Sequence, residues 1–303
     1  MDDLNELRTF VRVAEAGNFA EAARSLGVTA SSASKAVRRL EQKLGTRLLT
    51  RTTRSVVRTE EGARFLIGAK QLLEDADALR NALSDSTGDP RGKLLISAPE
   101  AFGRMWMTER VLKFMRRYKN IEVELTFDDR VADLVTEGID IAVRVGDLSD
   151  SPNLISRKFF EDRIYTLASQ AYLDRQGVPQ TPAQLAGHRA VHYRNRNTGR
   201  LVPFQFTEGD EVITVEFDPH LVANSIYTLE QAGAAGIGIV QLPGIVAINA
   251  IGRGDLVEIL AEHRTGRLQY SLVYPERRLL PARVKAFAEF LFTEPPDPRD
   301  FRC

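Results

Sequence analysis

The clearest chemistry in the sequence is positive charge on one face of a helix. Ser31, Ser34, Lys35, Arg38 and Gln42 share one side of a helical projection, while Ala33, Val37, Leu40 and Leu44, spaced 4, 3 and 4, form an apolar stripe on the other. Small hydroxyls in a first turn allow close approach to a duplex, and Lys35 and Arg38 can reach base edges or phosphates in a major groove. The start of such a helix, at Thr29 and Ala30, suits a phosphate. Farther on, R-L-L-T-R-T-T-R-S-V-V-R places Arg51 and Arg54 around a polar tip between Leu48-Leu49 and Val56-Val57, the pattern of a two-stranded ribbon whose arginines can bind backbone or minor groove. The 35 residues from Arg24 to Arg58 hold nine basic residues and one acid, Glu41, whereas Lys+Arg and Asp+Glu are both 41 over the 303-residue chain. A +8 block on a neutral chain is the footprint of a nucleic-acid-binding module carried by a larger body.

These side chains need rigid elements to hold them. Leu4, Leu7, Phe10, Val11, Val13 and Ala14 predict a first helix that stops at Gly17. Asn18, with Glu21 three residues on, starts a second helix that ends at Gly27; Asn18 is grouped with the candidate DNA-contacting residues. Thr29 caps a third helix over about 30–44. Two short helices joined by a tight Gly-containing turn make a helix-turn-helix, and the basic ribbon adds a wing. Thr59, followed by Glu60 and Glu61, then caps a helix of about 27 residues, about 40 Å long. Its rows Leu66, Ala69, Leu73, Ala76, Leu83 (with Arg80 in the seam) and Phe65, Leu72, Leu79 are wider than one isolated helix needs. They predict pairing with a second copy, the alternative being packing within the chain.

Residues 84–93, S-D-S-T-G-D-P-R-G-K, read as a hinge. Beyond it strands and helices alternate: strands at Leu94–Ser97, Ile121–Phe127 and Ile139–Val145, a helix through Val111, Leu112 and Met115, and a short helix at Val131–Glu137. Strands near 163–168, 189–193, 237–242, 256–260 and 268–274 follow, with helices at about 225–234 and 282–292. The alternation predicts a mainly parallel sheet with helices on its faces. Ligands of open α/β sheets bind beyond the carboxyl ends of the strands, here Ser97–Pro99, Asp129 with its neighbour Asp128, Val145–Gly146 and the helix start at Asn224–Ser225. Helix starts near 100 and 225 favour an anion. Of the nearby arginines, Arg104, Arg130 and Arg144, the last is the preferred ligand clamp.

Other chemistries find no constellation. Cys303 is the single cysteine, which excludes an intrachain disulfide and a Cys-rich zinc module and fits a reducing compartment. The opening M-D-D-L-N-E-L-R lacks the features of a signal peptide, and the 21-residue uncharged run Ala232–Gly252, with five glycines and Pro243, reads as helix–turn–strand–turn–helix rather than a membrane span. A cytoplasmic location is expected. G-x-S-x-G, H-E-x-x-H and a Walker loop are absent, so no catalytic residues are proposed. Gly233–Gly238, G-A-A-G-I-G, follows a helix and precedes a strand, the reverse of a dinucleotide loop. His188 and His192 lack a third ligand, so neither a metal nor a cofactor is expected.

The stretch 17–62, G-N-F-A-E-A-A-R-S-L-G-V-T-A-S-S-A-S-K-A-V-R-R-L-E-Q-K-L-G-T-R-L-L-T-R-T-T-R-S-V-V-R-T-E-E-G, resembles the winged helix-turn-helix of LysR-type transcriptional regulators. D-I-A-V-R-V-G (140–146), A-G-A-A-G-I-G-I-V-Q-L-P (232–243), G-D-L-V (254–257) and L-P-A-R-V-K-A-F-A-E-F-L (280–291) resemble that family's effector domain, which is similar to type 2 periplasmic binding proteins. The resemblance implies a DNA-binding domain at 1–58, a dimerisation helix and hinge at 59–88, and a two-lobed α/β effector domain at 89–303. Lobe I would comprise about 92–162 and 268–295, lobe II about 163–267, with the last strand and helix returning to the first lobe. It further implies promoter DNA as partner, a small-molecule inducer between the lobes, and a homodimer, commonly assembled as a homotetramer. An organic or aromatic acid is the candidate effector, and RNA polymerase a further candidate partner. The rival readings are a constitutive architectural DNA-binding protein whose body serves only assembly, and an enzyme with an appended DNA-binding domain.

Overall fold

The computed structural model describes residues 2–51, 56–84, 90–130, 133–146, 154–217, 219–265, 267–276 and 280–296. The chain divides into two compact units, 1–88 with 278–282, and 89–277 with 283–303.

In the first unit α1 (Asp2–Ala16), α2 (Phe19–Leu26) and α3 (Ala30–Leu44) pack around Phe10, Val13, Ala22 and Val37. The helix ends follow local chemistry. Asn18 Oδ1 accepts the Ala20 and Glu21 amides at 2.7 and 3.4 Å, and Thr29 Oγ1 accepts the Ser32 amide at 3.1 Å. Gly27, at φ 66°, supplies the left-handed residue that ends α2 and permits the two-residue turn into α3. Ala33, Val37 and Leu40 are buried as the stripe requires, but Leu44, in the last turn, is 44% exposed. It stands where the helix runs past the domain core.

The wing forms as expected, with β1 (Leu49–Arg51) antiparallel to β2 (Val56–Arg58). α4 (Glu60–Ser84) starts where Thr59 Oγ1 accepts the Gly62 amide at 2.9 Å. A Cβ on Gly62 would lie 1.9 Å from the Leu48 carbonyl oxygen, so only glycine lets α4 approach the wing this closely. The two apolar rows of α4 behave differently. Leu66, Ala69 and Leu73 bury themselves in the core of their own unit, the within-chain alternative for that row, whereas Leu72 and Leu79 are each 55% exposed. The Arg80 side chain and Leu83 of the proposed seam lie outside the described side chains.

The second unit runs β3 (Gly92–Ala98), α5 (Glu100–Phe102), a π-helical turn (Gly103–Met107), α6 (Thr108–Arg117), β4 (Ile121–Phe127), β5 (Ile141–Val145) and β6 (Leu154–Ala168). Then follow α7 (Gln170–Gln176), a 3₁₀ turn (Pro182–Gly187), β7 (Ala190–Tyr193), β8 (Phe204–Glu208), β9 (Glu211–Val215), β10 (Pro219–Ala223) and α8 (Ile226–Ala234). β11 (Val240–Pro243), α9 (Gly244–Gly252), β12 (Val257–Glu258), β13 (Arg267–Pro275) and α10 (Ala282–Thr293) complete it. The main sheet has the order β11-β6-β13-β5-β3-β4, with β12 also on β6.

This sheet corrects the expectation of a mainly parallel arrangement. β3 is parallel to β4 and β5, but β13 runs antiparallel to β5 and β6, and β11 and β12 run antiparallel to β6. The long strand β6 pairs with β13 over Leu154–Arg163 and then runs on to pair with β11 and β12 over Ile164–Ala168, so it continues from one set of elements into the other. The last elements pack onto the first strands and helices of this unit. β13 pairs with β5, Phe287 of α10 meets Phe114 of α6 at 4.9 Å between centroids, and Arg283 Nη2 donates to Asp140 Oδ1 at 3.0 Å.

A second correction concerns Val131–Glu137. Its described part is a turn over 134–138 rather than a longer helix: the Asp133 carboxylate caps a single turn by accepting the Val135 and Thr136 amides, and Gly138, at φ 68°, ends it. Gly238 fits the packing reading of the glycine cluster, since a Cβ there would meet the Arg189 carbonyl oxygen at 2.7 Å.

Candidate nucleic-acid interface and effector cleft

On α3, Thr29, Ala30, Ser31, Lys35 and Arg38 are exposed and Ser34 is half-buried. The basic residues sort themselves by position. Lys43 Nζ donates to Glu6 Oε2 at 2.9 Å and also pairs with Asp3, and Arg39 Nε lies 3.2 Å from Glu6 Oε1. These pairs tie α3 to α1. Hydrogen bonds to Asp3 and Glu6 raise the Lys43 pKa, and the Lys43 bond holds Asp3 below the usual carboxylate range. Lys35 and Arg38, one turn nearer the start of α3, have no ion pair among the described residues.

Glu41, the one acid of the basic block, is turned to structural use. Its Oε1 accepts the Leu48 and Leu49 amides at 2.8 and 3.0 Å, fixing the wing to the back of α3. In the sequence Glu41 shows only as a charge; nothing local marks its reach of seven and eight residues. Asn18 and Thr29 both serve as caps. Arg51 ends β1, but its side chain and the whole of Arg54 lie outside the described residues. The outcome is an exposed helix start and a face on which Lys35 and Arg38 have no ion pair among the described residues, with a ribbon beside it.

In the second unit a cavity of about 270 Å³ opens at the carboxyl ends of β3, β4 and β5. Pro99, Asp129, Arg144 and Val145 line it, together with Asp128, Phe102, Tyr193, Gln241, Leu242 and Tyr270. Ser97 does not line it but stands behind, its Oγ accepting Arg144 Nη1 at 3.0 Å. Gly146 donates its amide to the Gln269 carbonyl at 3.0 Å, Ser225 Oγ donates to Glu100 Oε2 at 3.3 Å, and Asn224 is exposed; none of these three lines the cavity. The amide of Glu100, at the start of α5, is taken by Asp129 Oδ1 at 3.0 Å. Tyr193, Gln241 and Tyr270 come from β7, β11 and β13, and no local signal pointed to them.

Arg144 dominates the electrostatics. It is 4% exposed, and among the described residues its Nη1 reaches, besides Ser97, only the Val143 carbonyl, at 3.1 Å. Nε and Nη2 are buried without hydrogen-bond partners among the described residues. Burial lowers its pKa, opposed by the charges of Asp128 and Glu137. Burial likewise raises Asp129, and pushes Tyr193 up to about 12. For Asp128 burial works upward too, but the Arg130 side-chain and backbone hydrogen bonds prevail and its pKa is lowered. Arg104 and Arg130 are surface residues paired with Glu100 and Asp128. Contacts across the cleft mouth include Ser225 to Glu100, Asn197 Nδ2 to the Asp129 carbonyl at 3.2 Å, Arg196 to Asp128 at 3.7 Å, and Arg104 over the Tyr227 ring.

His192 is buried against Phe204 and Phe217, and His188 meets the Tyr172 hydroxyl at 3.2 Å. Among the described residues no cluster of three or more His, Cys, Asp or Glu could hold a metal ion, and no helix is long and apolar enough to cross a membrane. Cys303 lies outside the described residues.

Comparison with known proteins agrees with this architecture. Residues 4–63 match the bacterial regulatory helix-turn-helix protein, lysR family, and residues 87–295 match the LysR substrate binding domain. The chain therefore belongs to the LysR family: it is a transcriptional regulator with a helix-turn-helix DNA-binding domain and an effector-binding domain. An uncharacterized HTH-type transcriptional regulator of Haemophilus influenzae is 35% identical over 284 residues, covering 94% of this chain and 98% of that protein. The HTH-type transcriptional regulator CrgA of Neisseria meningitidis serogroup B is 32% identical, covering 95% and 96%. The solved structure of CrgA from Neisseria meningitidis superposes with a TM-score of 0.62 at 32% identity, covering 96% of this chain and 98% of that one. The full-length AphB N100E variant superposes with a TM-score of 0.63 at 25% identity, covering 95% and 97%.

Proposed function

We propose that α3 enters the major groove through Ser31, Ser34, Lys35 and Arg38, that the start of α2 at Asn18 and of α3 at Thr29 and Ala30 lies against the phosphate backbone, and that the wing arginines Arg51 and Arg54 grip the flank. The observation that supports this is the sorting of charge on α3. Arg39 and Lys43 are spent on α1, while Lys35 and Arg38 stand exposed without ion pairs among the described residues. Unpaired cations on a helix face retain their full attraction for phosphate. The exposed Leu72 and Leu79 of α4 form the row through which two copies pair as a homodimer, and dimers assemble further into a homotetramer. The protein acts in the cytoplasm on promoter DNA, with RNA polymerase as a further partner.

The cleft is the effector site, with Pro99, Asp129, Arg144 and Val145 lining it and Ser97 holding Arg144. A buried guanidinium with two unpartnered nitrogens calls for an anionic group from outside, which favours an organic acid. An effector shifts the balance of lobe arrangements only by binding them unequally, and the contacts across the cleft mouth are what such a shift would make or break. The test is operator binding and transcription in vitro, with and without effector, for the wild type and Arg144→Ala. The variant is expected to bind operator normally and to ignore the effector; a normal effector response refutes the role of Arg144.

A further inference from the structure

We propose that the ligand of the cleft is a small amino carboxylic acid, its carboxylate on Arg144, its ammonium group on Asp129 and its apolar body among Phe102, Leu229 and Leu242. The inference rests on the reading of the cleft as the effector site and goes beyond it by naming a second pole.

The register of the sheet places the two poles. Ala142, Ser97 and Thr126 are aligned across the adjacent parallel strands β5, β3 and β4. Two residues farther along, Arg144 and Asp128 stand level, on the same face by strand alternation and two strand spacings apart, about 9.5 Å between backbones. Asp129 follows beyond the end of β4, where strand alternation no longer holds, and lines the cavity with both. The basic and acidic ends of the cavity are thus set by strand order, with β3 between them.

The acids at that end are not equivalent. Asp128 is spent: Arg130 Nε donates to its Oδ2 at 2.7 Å and Arg196 lies 3.7 Å away. Asp129 accepts the Glu100 amide on Oδ1 only, and its other carboxylate oxygen has no hydrogen-bond partner among the described residues. Arg144 offers Nε and Nη2. The cavity therefore holds one unsatisfied cation and one half-satisfied carboxylate, with apolar side chains between them.

Charge matching then selects the ligand class. A simple carboxylate satisfies Arg144 but presents nothing to Asp129. A dicarboxylate sets a second anion against Asp129, and an amine leaves Arg144 unpaired. A zwitterion satisfies both poles without bringing net charge into a half-buried site. The volume of about 270 Å³ lies just below the roughly 300–1,000 Å³ of drug-sized ligand pockets, as suits a metabolite of amino-acid size.

The experiment uses the full-length protein. Thermal shift across the twenty standard L-amino acids and the three aminobenzoates identifies the bound member. Calorimetry then compares that compound with its analogue lacking the amino group and its analogue lacking the carboxylate; for phenylalanine these are 3-phenylpropionate and 2-phenylethylamine. The amino acid should bind at least about tenfold more tightly than either analogue, the scale of one charge-assisted hydrogen bond. Asp129→Asn, which keeps an oxygen for the Glu100 amide, should erase the advantage over the deaminated acid. Arg144→Gln should weaken both acids. Equal binding of the amino acid and its deaminated analogue, or an advantage unchanged in Asp129→Asn, overturns the amino-acid proposal; loss of both acids in Arg144→Gln would then leave the cleft reading standing. Binding that survives Arg144→Gln undiminished overturns the cleft reading as well. No response to any compound of the screen overturns the proposal.

Discussion

Arg38 and Arg39 are adjacent in sequence, carry the same charge and are both solvent-exposed, yet the structure gives them different surroundings. Arg39 Nε is 3.2 Å from Glu6 Oε1, on the side of α3 that faces α1, whereas Arg38, about 100° around the helix, has no ion pair among the described residues. Each phosphate neutralised by a protein releases counterions, and the logarithm of the binding constant falls with the logarithm of salt by about 0.9 per contact. In a twofold complex Arg38→Gln removes two contacts, so the slope should flatten by about 1.8. Between 50 and 200 mM salt, the wild type should then lose about twelvefold more affinity than the variant. Arg39→Gln should leave the slope within about 0.5 of wild type, because its charge is already matched by Glu6. Fluorescence anisotropy on a labelled operator over that salt range measures both. If Arg38 instead reads a base, its loss relaxes sequence preference with little change in slope. Unchanged affinity, slope and preference in Arg38→Gln, or a slope change of the same size in Arg39→Gln, would refute the sorting of charge on α3.

Gly62→Ala should destabilise the DNA-binding unit by about 1–3 kcal/mol or more, since the new Cβ falls 1.9 Å from the Leu48 carbonyl oxygen; thermal unfolding followed by circular dichroism checks this. Arg144→Gln should leave the ligand-free melting temperature unchanged or higher by a few degrees, because it removes a buried cation that has no ion pair among the described residues; a lower melting temperature would mean that the guanidinium is structurally satisfied. His192 is buried, and burial lowers its pKa below 6.5. On acidification the unfolded chain is protonated first, so its contribution is intact above about pH 6.5 and is lost as pH falls toward the native pKa, at up to about 1.4 kcal/mol per pH unit. His192→Leu should flatten the melting temperature between pH 7 and 5 relative to wild type.

The helical unit was legible because its signals are local. Asn18, Gly27 and Thr29 lie at the boundaries they mark, and the stripe Ala33, Val37, Leu40 needs no knowledge of the partner surface. Leu44 fails because periodicity shows which face a residue occupies but not where the core stops. In the second unit, β3, β4 and β5 were read nearly to their ends. The first half of β6 was missed because Arg157, Lys158, Glu161, Asp162 and Arg163 mask its strand pattern, and the burial of Asp162 is compensated from far away, its Oδ2 accepting the Ile245 amide at 3.0 Å. The hairpin β8–β9 carried a usable signal, alternation on both sides of Gly209-Asp210, that was passed over. Arg144 was singled out from its place at a strand end, but its burial, the Ser97 bond and the opposing Asp129 are consequences of sheet order. The order β5-β3-β4 brings these residues together from positions far apart in the chain, and no short-range pattern reports it.

Selection of bound duplexes from a random pool by the purified full-length protein tests the central claim most directly. The account predicts enrichment of a motif with twofold symmetry and half-sites about one helical turn, roughly 10 base pairs, apart. Enrichment should be lost in the Lys35→Gln/Arg38→Gln double variant, with its melting temperature unchanged. A folded protein that enriches no duplex at low ionic strength, or a double variant that selects the same motif with the same affinity, would contradict it.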